Sequence, residues 1–489
     1  MTAVERTLLR AAWLVPEAGA APVPDAALRV AGDRIEATGP AAALDAASGG
    51  ERVVDLGDAI IVPGLVNAHQ HGRGLSQLAL GYPDDALEPW IAGRRRHGSP
   101  DVHALTRLAA EAMLAAGVTT TLHANYSYGS GDYEGELRAT AEAYRDAGLR
   151  ATICVGYQDR GAFIYPDADQ AAFVAQLPEG VRTRLQSSAQ AYMPDPDATL
   201  ALMDRMIRLY AGNPLVSWAY GPAGPQWVSD AAWARLARDA AERDLGLHFH
   251  FLESPAQARA NRQLYPEGTL RRLKALGVFA ARTSFAHAVH ATEDDLRVAA
   301  EHGAVLVTNP GSNMRLRNGV PPVADFLRSG VAVALGTDNT ALADNEDYLL
   351  ELRLGGLLAR AQSGSPEPGP HALLAMATTD GARAAFLPDG HGTLRPGAAA
   401  DLAAFALPAD PPVEPLAQLL TSGSSVECRL TMVAGEIRFS GSEADRKRLD
   451  EARAAALAAA EAREAAWSAE EVASLQEALR RHYGYPAPQ

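Results

Sequence analysis

The 489-residue sequence contains only two cysteines, Cys154 and Cys428, which lie far apart and outside any CxxC motif. Disulfide scaffolds and thiolate zinc sites need more, or more closely spaced, cysteines, so neither is expected. A reducing, cytoplasmic location is therefore predicted. Long apolar runs are also lacking. The N-terminal apolar patch is broken by proline and acidic residues, and no later segment is long enough to cross a bilayer.

An excess of positive charge is absent as well, because the net charge is -15 and acidic residues are spread along the chain. Nucleic acids and anionic membrane surfaces attract basic proteins, so neither is expected as a partner. The GxxxxGK[ST] motif that cradles nucleotide phosphates is also missing. What the chain does have is apolar content, 47% of its residues, which is enough for a large globular core.

Strand-like and helix-like segments divide the sequence into four parts. Residues 1–61 and residues 392–441 both hold short β-like runs, so the two ends are expected to pair into one small β-sandwich domain. Between them, residues 62–391 alternate eight strand-like runs with helices, which predicts an α/β fold with a closed (β/α)8 TIM barrel. Residues 442–489 are alanine-rich and charged, and predict a helical extension on the surface or at an interface.

The stretch NAHQH begins the candidate site. Successive side chains of a strand alternate faces, so His69 and His71 point the same way. The active site of such a barrel lies at the carboxyl ends of its strands. Polar candidates end four of the predicted strands: His69, His71, His248, His250, His287 and Asp338. A single histidine there is more often a hydrogen-bonded core or rim residue, but convergence from four strands favours a metal site, and imidazole with carboxylate suits zinc or iron.

Several motifs occur together in the order found in a known family. They are PGLVNAHQH, HFHFLES, FAHAVH, TNPGSNMRLRNGVPPV, GTD and LRPGAAADLAAF, and they span roughly residues 3–440. The chain therefore resembles the amidohydrolase superfamily, in particular the metal-dependent aminohydrolases that include guanine, cytosine and S-adenosylhomocysteine deaminases and the triazine hydrolases. One HxH motif is weak evidence, but the joint match is specific.

The resemblance implies that His69, His71, His250 and Asp338 bind a single divalent metal ion, zinc first and iron as the alternative. Such an ion lowers the pKa of water towards about 7, so that hydroxide exists at neutral pH. Glu253 resembles the proton shuttle of the family, although a helix N-terminal acid is its alternative interpretation. His287 would orient the hydroxide and stabilise charge, and Asp338 would also accept a proton.

The scarcity of lysine narrows the choice among the branches of the superfamily. Binuclear members of the superfamily bridge two metals with a carbamylated lysine on a middle strand, whereas the only lysines here are Lys274 in a predicted helix and Lys447 in the charged tail. One metal is therefore expected. Three further histidines are not expected to bind the metal. His248 is interpreted as a packed or ligand-supporting residue, and His290 is interpreted as a rim residue. His123 either contacts substrate or only hydrogen-bonds within the barrel.

The predicted substrate contacts follow barrel strands and mix stacking surfaces with amide groups, as a planar heterocycle would need. They are Arg73, Gln77, Trp90, His123, Tyr126, Tyr128, Gln158, Gln226, Trp227 and Asn309. Loop packing is the alternative interpretation for each. Arg73 and Arg317 could instead pair with a substrate carboxylate, although surface salt bridges are the default for arginine.

The sequence thus predicts a metal-dependent hydrolase of carbon–nitrogen bonds other than peptide bonds. Its expected reaction is deamination of an amino-substituted nitrogen heterocycle by metal-activated hydroxide, with release of ammonia. The enzymatic alternative is opening of a cyclic amide or displacement of halide or alkylamine from a heterocycle. The non-enzymatic alternative is an idle barrel that acts as a binding module. A small heterocyclic substrate and a homodimer or higher homo-oligomer are the expected partners.

Overall fold

The computed structural model describes residues 6–45, 50–76, 78, 80–81, 83–161, 163–188, 195–338, 344–407, 414–421 and 426–486. Gln77, one of the predicted substrate contacts, lies outside these residues. In the part described, no helix is both long enough and apolar enough to pass through a membrane.

Sixteen strands are described, and they fall into two separate eight-stranded sheets. In chain order they are β1 Arg6–Leu14, β2 Val23–Ala31, β3 Arg34–Pro40, β4 Arg52–Asp55, β5 Ala59–Pro63, β6 Leu65–Gln70, β7 Val118–Ala124, β8 Arg150–Tyr157, β9 Val216–Pro222, β10 Gly246–Phe251, β11 Arg282–His287, β12 Val305–Thr308, β13 Ala332–Leu335, β14 Leu402–Ala406, β15 Cys428–Val433 and β16 Glu436–Phe439.

The α-helices of the described residues mostly follow the barrel strands. In chain order they are α1 Ala41–Asp45, α2 Leu87–Gly93, α3 Val102–Ala115, α4 Tyr133–Ala147, α5 Gln170–Ala175, α6 Glu179–Ser188, α7 Pro196–Leu209, α8 Asp230–Glu242, α9 Pro255–Leu264, α10 Thr269–Ala275, α11 Glu293–Glu301, α12 Pro310–Arg315, α13 Val323–Arg328, α14 Tyr348–Ser363, α15 Pro370–Ala377, α16 Thr379–Ala384, α17 Pro415–Thr421, α18 Glu443–Glu461 and α19 Ala469–Tyr483. Short 3-10 turns cover Arg94–Arg96 and Val278–Ala280.

The first sheet joins the two ends of the chain. Its order is β16-β15-β14-β5-β1-β2-β3, with β4 paired to β1. The joint is the antiparallel pairing of β14 with β5, in which Ala404 lies opposite Ile61. Apolar side chains from both ends, such as Leu9 and Met432, fill one buried cluster. The expectation that the two strand-rich ends form one β unit is confirmed.

The second sheet is the barrel, in which β6 to β13 follow one another in chain order and all paired strands are parallel. Strands such as β7 are buried along their whole length, because helices cover one face and side chains fill the interior. The barrel closes where the backbone N–H of Asp338 donates to the carbonyl of His69 at 2.9 Å. The predicted TIM barrel is confirmed, and its seam joins two predicted metal ligands.

Gly336 of the GTD motif is required by this seam. A Cβ at Gly336 would lie 2.8 Å from the backbone nitrogen of His69 and 2.6 Å from Oδ1 of Asn309. Any larger residue would therefore push β6 away from the residues that follow β13, and would separate His69 from Asp338.

The C-terminal extension forms the two helices α18 and α19, as expected. A capping box between Ser442 and Asp445 begins α18, and a second one between Ser468 and Glu471 begins α19. The first helix packs its Ala456 against Leu105 and Leu108 of α3. The second helix packs against α2, at the carboxyl ends of the barrel strands. The extension therefore reaches the region in which the active site is predicted.

Candidate active site

A cavity of about 570 Å³ opens at the carboxyl ends of the barrel strands. Its base is polar and is formed by His71, His250, Glu253, His287 and Asp338. These are five of the six residues predicted to carry the chemistry. The sixth, His69, is fully buried directly beside them.

The predicted ligands lie within reach of one ion. The ligand atoms of His69, His71 and His250 lie within 4.8 Å of one another. Nε2 of His71 lies 3.1 Å from Oδ1 of Asp338, and Nε2 of His69 lies 3.6 Å from the same oxygen. Glu253, His287 and Asp338 form a second group with atoms inside the same limit. The structure thus brings all six predicted residues together.

Buried polar atoms without partners show that the cluster fits a metal. Among the described residues, Nε2 of His69 and Nε2 of His287 are buried and make no hydrogen bond. Such an atom costs about 1 to 3 kcal/mol unless something binds it. Burial, and then the neighbouring histidines, hold the pKa of His69 and of His250 well below the ordinary value. Neutral imidazoles beside an ionised carboxylate form a donor set suited to zinc.

A chain of hydrogen bonds sets the tautomer of His69. The carbonyl of Ala384 can only accept, so the hydroxyl of Ser284 donates to it at 2.9 Å. The same hydroxyl then accepts from Nδ1–H of His248 at 2.8 Å. Nε2 of His248 is left to accept from Nδ1–H of His69, also at 2.8 Å. The lone pair of His69 Nε2 therefore points into the cluster, and His248 supports His69 through a hydrogen bond.

The other histidines are oriented from the side away from the cluster. Nδ1–H of His71 donates to the carbonyl of Ala124 at 2.6 Å. Nδ1 of His250 lies 3.1 Å from the hydroxyl of Tyr126. In both residues the Nε2 atom is left for the interior of the site.

His287 is held in the same way by an asparagine. Nδ1–H of His287 donates to Oδ1 of Asn313 at 2.9 Å, which leaves a lone pair on Nε2. Burial lowers the pKa of His287 to about 4, against the opposing charge of Asp338, so the imidazole is neutral at pH 7. Nε2 can therefore accept a hydrogen bond from a water molecule.

Asp338 is kept ionised although it is buried. Burial opposes the charged form, but the hydrogen bond and charge of His71, together with His287 and a donated hydrogen bond from Ser312, hold its pKa below the usual range. The backbone is unusual here, since Asp338 has φ 65° and His287 has φ 76°. Non-glycine residues adopt this left-handed region at a cost, which is most often found at functional sites.

Glu253 has the opposite electrostatics. Burial, and then the nearby charges of Asp338 and Glu88, raise its pKa well above the ordinary value. Asn318 donates to Oε1 at 2.8 Å, and Oε2 lies 3.7 Å from Nε2 of His287. A carboxyl group that readily holds a proton therefore lies beside an aspartate that does not, which is an arrangement suited to proton transfer.

Three supporting residues were not singled out from the sequence. Ser312, Asn313 and Asn318 hold Asp338, His287 and Glu253 respectively. All three belong to the stretch TNPGSNMRLRNGVPPV, in which the sequence indicates only a family motif. The available signal in the sequence was a group of three short polar side chains, one hydroxyl and two amides, in one stretch after a barrel strand.

Most of the predicted substrate contacts line the cavity. Those that do are Arg73, Trp90, Tyr126, Tyr128, Gln158 and Trp227. The guanidinium of Arg73 lies 5.2 Å from the centre of the Tyr128 ring, whose hydroxyl donates to the carbonyl of His71.

Three of the predicted contacts do not line the cavity and are buried behind it. Nδ1 of His123 lies 2.8 Å from the hydroxyl of Tyr144, and Gln226 accepts a hydrogen bond from Asn261. Asn309 lies beside His287, with 3.3 Å between Nδ2 and Nδ1. Each follows a barrel strand, but its side chain turns into the barrel or its wall. For these three the structure favours packing roles.

The remaining basic and rim residues lie away from the cluster. His290 is partly buried and donates to the carbonyl of Asn318, so it supports the asparagine that holds Glu253. Lys274 and Lys447 are exposed on α10 and α18 and do not line the cavity. A single metal ion stays a prediction for this site.

The outer wall of the cavity has an apolar part that comes partly from the last described helix. Trp467, Leu475, Leu479 and Tyr483 line it, and the guanidinium of Arg95 lies 5.7 Å from the centre of the Trp467 ring. These four apolar and aromatic side chains belong to a buried cluster that includes Ile164. The sequence placed this segment only on the surface or at an interface, because helical periodicity does not say what a helix covers.

The chain matches the model of the Amidohydrolase family over residues 60–438. A 5-methylthioadenosine/S-adenosylhomocysteine deaminase of Nitratidesulfovibrio vulgaris (strain DSM 19637 / Miyazaki F) is 33% identical over 443 residues, which cover 88% of this chain and 92% of the relative.

Two solved structures share the fold. An adenosine deaminase from Xanthomonas campestris with bound zinc is 26% identical and has a TM-score of 0.75, covering 92% of this chain and 98% of that chain. An atrazine chlorohydrolase from Arthrobacter aurescens TC1 complexed with zinc is 23% identical with a TM-score of 0.74, covering 92% and 100%.

These relatives include the deaminases and the triazine hydrolase of the predicted branch. They confirm the prediction of an enzyme that hydrolyses carbon–nitrogen bonds. The matched region holds both the barrel and the polar cluster at its mouth, and the chain belongs to the amidohydrolase family.

Proposed function

We propose that this enzyme is a mononuclear, zinc-dependent aminohydrolase that removes the amino group from the purine ring of an adenosine-like nucleoside. The observation that carries the proposal is the pairing of a proton-holding Glu253 with the four-donor cluster of His69, His71, His250 and Asp338 at the base of one cavity. The deaminase that is 33% identical supports the choice of a nucleoside.

The residues that would hold the ion are His69, His71, His250 and Asp338. When bound there, a zinc ion supplies Lewis acidity that lowers the pKa of a neighbouring water molecule towards about 7. The buried, unpartnered Nε2 of His69 supports this assignment, because it is aimed into the cluster by the hydrogen bonds of His248 and Ser284.

Glu253 carries the proton in the proposed reaction. Water adds to the ring carbon that bears the amino group, and its proton passes through Glu253 to the adjacent ring nitrogen. A second proton passes to the amino group, the carbon–nitrogen bond breaks, and ammonia leaves. Asn318 holds one oxygen of Glu253 in place, so that the other faces His287 and the cavity.

His287 and Asp338 orient the attacking water. Nε2 of His287 carries a lone pair because Nδ1–H is donated to Asn313, so it accepts a hydrogen bond from that water. Asp338 is ionised, so it can take up the second proton of the water and pass it on to the leaving amino group. The ring of the substrate would lie against Trp227 and Tyr126, with Gln158 available for hydrogen bonding.

Two expectations from the sequence stay predictions. The cytoplasmic location follows from the scarcity of cysteine. A homodimer or higher homo-oligomer follows from the family resemblance and the helical extension.

The test is a substrate panel with the zinc-loaded enzyme. Adenosine, 5-methylthioadenosine, guanine, cytosine and a chlorinated triazine are incubated with it, and ammonia and product mass are measured. The proposal expects ammonia release with replacement of an amino group by oxygen, and fastest turnover on the adenine nucleosides. Chloride release from the triazine without ammonia release from any nucleoside would contradict it, and so would a product that has only gained water.

A further inference from the structure

The proposed reaction does not use the outer wall of the cavity. Part of this wall comes from residues 466–483, far from the catalytic residues in sequence and outside the region 60–438 that matches the family. Among its side chains that line the cavity, Trp467, Leu475 and Leu479 are nearly buried, at 6%, 3% and 4% exposed. Side chains placed in this way can contact a bound ligand.

The segment is fixed in place from several directions. Arg480 of α19 forms a buried ion pair with Asp85, just before α2. The hydroxyl of Tyr485 donates to Glu88 at 2.6 Å, and Gln476 donates to the carbonyl of Pro89 at 3.0 Å. The helices approach so closely that a Cβ on Gly93 would lie 2.9 Å from Nε2 of Gln476. The wall is therefore a built part of the site.

The cavity is large enough for a ligand that is bigger than a single heterocyclic ring system. Its volume of about 570 Å³ lies within the range of roughly 300 to 1,000 Å³ that is typical of pockets for drug-sized ligands. The reacting ring must lie at the polar base, beside Glu253 and His287. The remaining volume extends to apolar side chains that also include Ile164 and Leu185, with the guanidinium of Arg95 5.7 Å from the Trp467 ring.

We propose that Trp467, Leu475 and Leu479 are specificity-determining residues that bind an apolar substituent carried by the nucleoside on the sugar side, away from the reacting carbon. The proposal rests on the proposed function, because it assumes that the purine ring occupies the base of the cavity. An apolar group gains by leaving water for this wall, whereas a hydroxyl group in the same place would lose its hydrogen bonds.

The experiment compares two nucleosides that differ at one position. Adenosine carries a 5′ hydroxyl group, and 5-methylthioadenosine carries an apolar thioether in its place. kcat and KM are measured for both with the unaltered enzyme, Leu479→Ala, Leu475→Ala and Trp467→Phe. We expect the preference for the thioether to fall by about tenfold in each Leu→Ala variant, mainly through KM, which is the range expected for lost methylene contacts.

Val472→Ala is the matched control. Val472 lies on the same helix and in the same buried cluster but does not line the cavity, so its loss should leave the preference unchanged. Thermal unfolding of each variant reports any shared loss of stability, and the less disruptive Trp467→Phe provides a reading if a Leu→Ala variant fails to fold. A preference that stays constant in the cavity-lining variants, or that shifts equally in Val472→Ala, overturns the proposal.

Calorimetric binding separates this proposal from the proposed function. Both nucleosides are titrated into zinc-loaded Glu253→Gln, with and without Leu479→Ala. If the preference in Kd is lost with Leu479→Ala, the role of the wall residues in specificity is supported. This holds even if the unaltered enzyme releases no ammonia, because that result would contradict only the proposed deamination. If neither nucleoside binds, or if both bind equally well, the proposed role of the wall residues in specificity is overturned.

Discussion

The two ends of the cavity are built by different means. The polar base is made of strand ends and of the residues that directly follow them, so that each of its groups, such as His69 or Asp338, is held by the hydrogen bonds of the barrel. The outer wall is made of helices that meet through side chains distant in sequence, such as Arg480 and Asp85.

This difference teaches how the two tasks are separated. The base orders charged and polar groups to a fraction of an ångström, as proton transfer and metal binding require. The wall offers apolar area, which is non-directional and tolerates changes of shape. We therefore expect changes at the base to affect the rate or the metal, and changes at the wall to affect substrate preference and stability.

The largest effect is expected at the base, from Glu253→Gln. The amide keeps the size of the side chain but cannot transfer the proton, so kcat should fall by roughly 100- to 10,000-fold. Zinc content, measured by elemental analysis, should be unchanged, because Glu253 is not among the proposed ligands. Glu351→Gln is the matched control, since Glu351 is also buried with its pKa raised to about 7 by burial, yet it does not line the cavity. Similar losses of kcat in both variants would contradict the assigned role.

The next effect tests whether the wall is independent of the base. Arg480→Ala leaves Asp85 buried without its partner, which should lower the free energy of unfolding by about 3 to 5 kcal/mol. Denaturant titration measures the loss. Arg481→Ala is the control, because Arg481 is exposed and its contact with Glu477, at 3.6 Å, is a surface pair. Loss of zinc from folded Arg480→Ala would show that the two regions are coupled after all.

The buried histidines of the base contribute to the pH dependence of the metal-free protein. Burial lowers the pKa of His248 to about 3 and of His287 to about 4, from an ordinary value of 6.5. The unfolded chain therefore binds more protons between these values, and the free energy of unfolding falls as the pH drops below 6.5. At pH 5 the two histidines together should cost roughly 4 kcal/mol relative to pH 8.

Denaturant titrations of metal-free protein at several pH values check this. The raised pKa of Glu253 acts in the opposite sense, because its contribution to stability is lost as the pH rises through its folded-state pKa. In the double variant Glu253→Gln/Glu351→Gln, which lacks the opposing contributions of these two buried carboxyl groups, a free energy of unfolding that stays constant between pH 8 and pH 5 would mean that the histidines of the base are not buried in neutral form.

The smallest effect is expected from the residue behind the base. His248→Phe removes both hydrogen bonds that set the tautomer of His69, and should weaken zinc binding by roughly 10- to 100-fold. Competition with a chelator measures the affinity. The same change at His302, which is exposed and stacks on Phe279, should leave it unaltered. Equal zinc affinity in His248→Phe and the unaltered enzyme would show that the hydrogen bonds of His248 are not needed for zinc binding.

Much of the base could be predicted because its signals are local. His69 and His71 share a face through strand alternation, and barrel strands bring their carboxyl ends together, so six dispersed residues could be assigned to one place. The same logic offered His123, Gln226 and Asn309 as substrate contacts, with packing as the alternative, and these three do not line the cavity. Position after a strand does not decide which way a side chain turns once its neighbours, such as Tyr144 or Asn261, are packed.

By itself, then, the sequence determined the barrel, the union of its strand-rich ends and the set of donor groups at the mouth, because these depend on short-range periodicity and on the order of strands. Only the tertiary structure decided that Ser312, Asn313 and Asn318 orient those donors, and that the last described helix lines the cavity. The reason is physical. A helical repeat of apolar residues predicts which face of a helix is buried. It does not predict which surface that face covers, because this depends on complementary packing and on a buried charge more than three hundred residues away in the sequence.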